Sequence, residues 1–402
     1  MTQNDSHSFE YWFIGLPASN DPKDEKAKDT KIKDPLGKNW EKVNEITKKL
    51  CENFHFPLPD LRVGTLDHLL TASVDLERLE SVIESVASKI SQALADVMEL
   101  KMDQMEEFLN VNGVSLPEYL LKFRWDLSKY SMRQTLKGIE DQIEKQMVGL
   151  EMETKTLHCE YVAARTELAS MERYEKGPLH TRNVSEFVKM EDFVLNSEHL
   201  ITVLVVVSKT SYHDWYSSYE KLDNEVVPRS TNLLFEDCEY GLFNVTLFKR
   251  HLDNFREKAH EMKFYVKDFI FDRVRIQDER DRLTSLRQKK ATLIGPLIRA
   301  LRINFSETYM SYLHIKTMRV FVECALRYGL PVNFLGLIMV TPKKNIKKLR
   351  DVLFKEFAYL DGSLPKEEVR EEKKVQPDQA APSPDYFPYV CIKVNVEPQE
   401  FK

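Results

Sequence analysis

The sequence predicts an α+β protein, mostly helical and elongated. It has a discontinuous foot domain, a long antiparallel helical neck and an inserted βαββαβ-like head domain. Three observations lead there. Residues 132–171 keep apolar side chains at helical spacing for far longer than a single small domain needs. Residues 274–328 do the same. Between them, residues 178–272 alternate strand and helix patterns.

Composition agrees with that class. A chain of 402 residues can build two or three domains with a sizeable core. Apolar residues are 42% and charged residues 30%, as in a helix-rich globular protein with long solvated faces. A net charge of −6 gives no global field favouring nucleic acid or an acidic membrane surface. Only 12 glycines argue against a fold built on Gly-rich phosphate loops. Residues 1–10 lack the basic-then-apolar layout of a signal peptide. No apolar run nears the ~20 residues a spanning helix needs. Five cysteines, Cys51, Cys159, Cys238, Cys324 and Cys391, are scattered and odd in number, which reads as reduced thiols of a cytosolic protein. Sequons at Asn183, Asn244 and Asn304 read as chance matches without a secretory signal.

The elements follow in order. Residues 10–16 form a first strand, and a Lys-rich polar loop covers 17–38. Residues 74–109 carry Leu76, Leu79, Val82, Val86, Ile90 and Leu94 on one helical face, and the break Asn112-Gly113 ends that helix. Ser115 and Glu118 can cap the next one. The first long helix then carries Met132, Leu136, Ile139, Ile143, Met147, Leu150, Thr154, Leu157, Tyr161, Ala164, Leu168 and Met171 as a single seam. Its 40 residues reach about 60 Å. The second long helix shows Ile276, Leu283, Leu286, Ile294, Leu297, Leu301, Phe305 and Tyr309, with a kink expected at Gly295-Pro296.

In the insert, strands fall at 200–207, 231–236, 240–247 and 264–271, and helices at 212–227 and 248–261. The run 200–207, Leu-Ile-Thr-Val-Leu-Val-Val-Val, is a buried strand entered from the polar cluster Asn196-Ser197-Glu198. This order is the split-βαβ pattern, so a four-stranded antiparallel sheet with two helices is expected. Toward the C-terminus come a strand at 334–341, a helix at 343–360, a charged linker and a last strand at 386–396. That last strand must dock on 10–16 or 334–341, so both ends build one domain. The expected divisions are 1–131 and 319–402 for the foot, 132–177 and 273–318 for the neck, and 178–272 for the head, with the linker at 365–385.

No catalytic constellation is present: GxxxxGK[ST], GxGxxG, HExxH and GxSxG are all missing. No catalytic, cofactor-binding or metal-binding residue is assigned. His158, His180, His199, His213 and His251 are isolated and read as packed or surface residues. Glu191-Asp192 could hold a cation, but a solvated cap or turn is simpler. Lys343, Lys344, Lys347, Lys348 and Arg350 could hold an anion, but a solvated helix face is simpler. Trp215, Tyr219, Leu222 and Val226 form a stripe that packing on a sheet explains.

Three stretches carry a family resemblance. The first is 190–207 with Val226-Val227-Pro228-Arg229-Ser230. The second is Asn244-Val245-Thr246-Leu247-Phe248-Lys249-Arg250 with 263–269. The third is Arg319-Val320-Phe321-Val322-Glu323 with Ala325 through Phe334. Taken together they resemble the C subunit of the eukaryotic vacuolar-type proton ATPase (V-ATPase). The resemblance implies a globular head, a neck of long helices and a foot made from both termini. It implies a non-catalytic stator component without cofactor, joining peripheral stalks of the E and G subunits to the cytosolic N-terminal domain of the membrane-embedded a subunit. It also implies reversible loss when the pump disassembles, a cytoplasmic location on the cytosolic face of vacuolar, lysosomal, endosomal or plasma membranes, and neither nucleic-acid binding nor membrane insertion. Actin stays open as a further partner, and the partner-binding residues are unknown. The alternative reading is a coiled-coil cytoskeletal or membrane-tethering adaptor, which would expose the 132–171 seam and self-associate through it.

Overall fold

The computed structural model describes residues 9–17, 37–101, 104–105, 108–195, 197–330, 333–360 and 387–401. Most of the loop expected at 17–38, the linker expected at 365–385, Asn196 of the polar cluster and Pro331-Val332 of the third stretch lie outside them. The chain folds as two compact units: residues 1–158 with 296–402, and residues 159–295.

The first unit is organised by a sheet that joins both ends of the chain. Strand β1 (Phe9–Pro17) lies between β9 (Phe334–Pro342) and β10 (Val390–Val394), and β2 (Glu52–Phe56) pairs with the far side of β9. All three pairings are antiparallel, with Phe13 opposite both Ile338 and Ile392. Alternation along β1 sends Trp12, Ile14 and Leu16 into a core with Leu335, Leu337 and Met339. Helices α1 (Gly37–Thr47) and α8 (Ile346–Phe357) close that core through Val43, Leu349, Leu353 and Phe357. On the opposite face Phe13 stacks on Phe56 at 4.7 Å. The expected docking of the last strand on the first is present; β2 was not expected at all.

Three helical expectations change. Helix α2 is Leu66–Met98, not 74–109. Thr65 caps it: its hydroxyl accepts from the His68 N–H at 3.4 Å, and His68 Nδ1 accepts in return from the Thr65 N–H at 3.4 Å. It stops at Glu99, which adopts φ 55° and closes the last turn. Asn112 and Gly113, with φ of 52° and 82°, instead form the two-residue turn of a hairpin between β3 (Asn110–Val111) and β4 (Val114–Ser115). Positive φ at both central residues is what such a turn requires. Helix α3 (Leu116–Leu121) begins after Ser115 as expected, without the side-chain cap bond.

The long helices are α4 (Leu136–Lys176) and α7 (Arg273–Tyr328), and α7 runs through Pro296. The α4 seam is inward: Leu136, Ile139, Ile143, Met147, Thr154, Tyr161, Ala164 and Leu168 are buried, while Leu150, Leu157 and Met171 are half-buried. Met132 precedes the helix. Within the first unit, Gln146 donates to Glu307 at 3.1 Å and Asn304 donates to Thr154 at 3.3 Å. Rising numbers on α4 meet falling numbers on α7, so the two helices run antiparallel there. From Tyr309 to Ala325 nearly every α7 side chain is buried, so this segment is a central helix, covered all round.

The second unit holds the expected four-stranded antiparallel sheet, ordered β6-β7-β5-β8 from β5 (Leu200–Ser208), β6 (Asn232–Glu236), β7 (Tyr240–Phe248) and β8 (Tyr265–Lys267). Both faces of β5 are covered, which is why it reads as one apolar run. Val203, Val205 and Val207 meet Trp215, Tyr219, Phe255 and Ala259 of α5 (Tyr212–Leu222) and α6 (Leu252–Glu261). Leu204 and Val206 meet Leu179, Val184 and Val188. Away from the sheet, Leu168 of α4 packs on Leu283 and Leu286 of α7.

Element ends differ from expectation. Helix α5 stops at Leu222 rather than 227, because Asp223 turns extended and its carboxylate accepts from Glu225 N–H at 3.2 Å and Asn254 Nδ2 at 2.7 Å. Phe248 stays in β7, a 3-10 turn fills Lys249–His251, and only then does α6 begin. Strand β8 keeps three of the eight residues expected, and α8 is flanked by 3-10 turns at Lys343–Asn345 and Ala358–Leu360.

Candidate functional site

The residues that could carry chemistry are kept apart. Among the described residues no group of three His, Cys, Asp or Glu side chains could hold a metal ion. The five cysteines are free. Burial pushes the Cys51 and Cys324 thiols up and Cys391 up to about 12, the reverse of an activated nucleophile. His158 meets Asp96 at 3.1 Å, His251 meets Asp223 at 3.2 Å, and the His180 ring lies 5.9 Å from Tyr240 and from Tyr265. Glu191 is exposed in a 3-10 turn, and Asp192 caps that turn by accepting from Lys189 N–H at 2.7 Å. The cluster Lys343, Lys344, Lys347 and Lys348 lies on the solvent side of the α8 start. Arg350 leaves them and packs its guanidinium 5.5 Å over Trp12 and 5.1 Å over Phe387. Trp215, Tyr219, Leu222 and Val226 belong to the core. The Asn244 and Asn304 sequons are buried, so neither side chain is open to a glycan.

The densest polar arrangement lies in the first unit, on the central segment of α7. Lys316 Nζ donates to Glu80 Oε1 at 2.6 Å and to the Lys393 carbonyl at 2.6 Å, and lies 3.8 Å from Glu84. Arg319 donates to the other Glu80 oxygen at 2.7 Å and reaches Glu77 at 3.6 Å. Lys316 is 4% exposed and Glu80 9%, so these charges are held out of water and must pair. Burial lowers the Lys316 pKa, against the pull of Glu80, and raises that of Glu84. Asn395 completes the lattice, donating through its side chain to Glu84 at 3.1 Å and through its N–H to the Tyr312 hydroxyl at 2.9 Å. Helix α2, helix α7 and the last strand β10 are thus locked by one network. The Tyr328 hydroxyl adds a second lock, donating to the Gly15 carbonyl and accepting from Val390 N–H, both at 3.1 Å.

Two residues before Lys316, His314 sits among the rings of Phe123, Trp125 and Tyr130 at 5.0, 4.9 and 4.8 Å. Its Nδ1–H donates to the Met310 carbonyl at 2.7 Å, and its Nε2 accepts from Asp126 N–H at 3.1 Å. Burial pulls its pKa down to about 4, so the ring is neutral.

Sequence reasoning missed this lattice because its partners lie 236 positions apart. One signal was legible: Lys316 and Arg319 fall in a stretch rich in apolar residues, Tyr309 to Ala325, and Glu80 falls on the Leu76–Ile83 face of α2. The arrangement braces a fold. It offers no pocket with a poised acid, base or nucleophile.

The chain matches the family model for the V-ATPase C subunit over residues 11–390. It is 41% identical to the V-type proton ATPase C subunit 1-B of Danio rerio over 396 residues, 98% of this chain and 100% of that one. It is 39% identical to the V-type proton ATPase C subunit of Manduca sexta, covering 96% of this chain and 98% of that one. It is also 39% identical to the V-type proton ATPase C subunit 1 of Bos taurus, covering 98% and 100%. A solved cytoplasmic N-terminal domain of the I subunit, homolog of the a subunit, of V-ATPase aligns with 86% of this chain and 97% of its own. That alignment has 14% identity and a TM-score of 0.30, too low to support an argument. The family match runs through both units, and the chain belongs to the V-ATPase C-subunit family.

Proposed function

We propose that the chain is a non-catalytic stator component of the cytosolic sector of the V-type proton ATPase. It joins peripheral stalks of the E and G subunits to the cytosolic N-terminal domain of the membrane-embedded a subunit, and its reversible release accompanies pump disassembly. It acts on the cytosolic face of the acidified organelle or plasma membrane. Family membership supports the role in the pump. The observation that carries the reading over a coiled-coil adaptor is the α4 seam. Ile139, Ile143 and Met147 are fully buried within the chain, so that stretch of the seam is not open to a second copy.

The physics suits the role. A rotary motor drives protons only if its stator resists torque, so a component in that path must not deform. In the first unit the helices are cross-braced by buried packing and by the Glu80–Lys316–Arg319 lattice. Two modest interfaces on one chain hold together through effective concentration, and weakening one releases the whole. The test is co-purification from detergent-solubilised vacuolar or endosomal membranes. The tagged chain should retain the E, G and a subunits, and their absence from a folded, monodisperse preparation would reject the assignment.

A further inference from the structure

Helix α8 turns Leu349, Leu353 and Phe357 into the core of the first unit and leaves its opposite face to water. Lys343 and Lys344 of the 3-10 turn before it, and Lys347, Lys348 and Lys355 of the helix itself, are all exposed. Residues three or four apart are neighbours on a helical run, so Lys343 and Lys344 stand beside Lys347 and Lys348. Among the described residues none of the five has an ion-pair partner. Like charges so placed repel one another. Of the two acidic residues of α8, Glu356 pairs with Lys42 of α1, and Asp351 alone is left against five lysines. Asn345 donates to the Leu50 carbonyl at 3.1 Å, which sets the turn after α1 beside this face. There the exposed Lys48 and Lys49 are balanced by the exposed Glu45 and Glu52, so the patch owes its sign to α8. Phe354, seven residues on from Lys347 and so on the same side, is 37% exposed, and Tyr359 beyond it is 50% exposed.

We propose that the outer face of α8 adsorbs to an anionic membrane surface. Its charge comes from lysines, hydrated point charges on flexible stems, which suit a diffuse layer of lipid headgroups better than a shaped anion pocket. Arg350 carries the guanidinium that would pair a protein carboxylate through two bonds, and it is turned away onto Trp12 and Phe387. The exposed Phe354 and Tyr359 rings beside the ammonium groups supply apolar contact at headgroup depth. The contact is peripheral, because the apolar side of α8 is already packed in the core. It is independent of the stator role.

Flotation of the full-length chain with phosphatidylcholine vesicles, and with vesicles of equal parts phosphatidylcholine and phosphatidylserine, tests this. The chain should float only with the second kind, and added salt should release it, because the attraction is screened beyond a Debye length. Each lysine lost near such a surface should weaken binding about fivefold, so Lys347→Gln with Lys348→Gln should weaken it about twenty-five-fold. Both side chains are exposed, so the variant keeps its fold. Lys145→Gln with Lys289→Gln, exposed lysines of α4 and α7, makes the same change in net charge and should alter binding by less than about twofold. The proposal is overturned if the folded chain does not float with the anionic vesicles, if the Lys347→Gln, Lys348→Gln variant floats as well as the native chain, or if the control pair weakens binding equally. Capture on polyglutamate without flotation overturns it in favour of an acidic protein segment.

Discussion

Lys316 Nζ lies 2.6 Å from Glu80 Oε1, with both side chains removed from water and 236 residues apart in sequence. Removing one partner strands the other charge in a low-dielectric interior. Glu80→Leu should cost about 3–5 kcal/mol, whereas Glu80→Leu with Lys316→Met should recover most of that loss. Urea denaturation of Glu80→Leu, Lys316→Met and the double variant checks the difference. A double variant as unstable as the sum of the singles would contradict a coupled pair.

His314 should make stability depend on pH. Its pKa falls from about 6.5 in the unfolded chain to about 4 in the fold, so the unfolded chain binds more protons between those values and stability drops as pH falls. Asp126 and Lys129 are the charged groups that face it, and burial outweighs both. From pH 7 to pH 5 the native chain should lose about 2 kcal/mol more than His314→Gln. Equal losses in parallel melts would show that His314 does not titrate in this way.

Gly336 marks where β2 and β9 approach. A Cβ there would collide with the Phe56 carbonyl oxygen, a backbone atom that cannot rotate away. Gly336→Ala should cost about 1–3 kcal/mol and open amide exchange at Phe54 and Phe56. Unchanged protection at those amides would contradict the packing.

The purified chain should run as a monomer at micromolar concentration, since the α4 seam is satisfied internally. Light scattering that showed a dimer, abolished by Met147→Glu without loss of fold, would restore the coiled-coil adaptor.

Much of this architecture was legible because apolar periodicity is local. The run at β5 and the α4 seam declare themselves through neighbouring residues, and split-βαβ order then predicted the sheet. Where local signals compete, reading failed. Asn112-Gly113 marks a stop, and only the positive φ values show that it turns a hairpin. Strand β2 is a five-residue edge strand, Glu-Asn-Phe-His-Phe, too polar to stand out, and it owes its place to Phe56 stacking on Phe13. The charged lattice joins residues from distant segments, which no spacing rule connects.

The central claim is the stator role, and proton transport tests it most directly. Vacuolar membranes depleted of the corresponding resident protein should regain ATP-driven acidification when the purified chain is added, with the E, G and a subunits in the restored complex. ATP hydrolysis or binding without recovery of acidification, by a chain shown to be folded, would contradict the account.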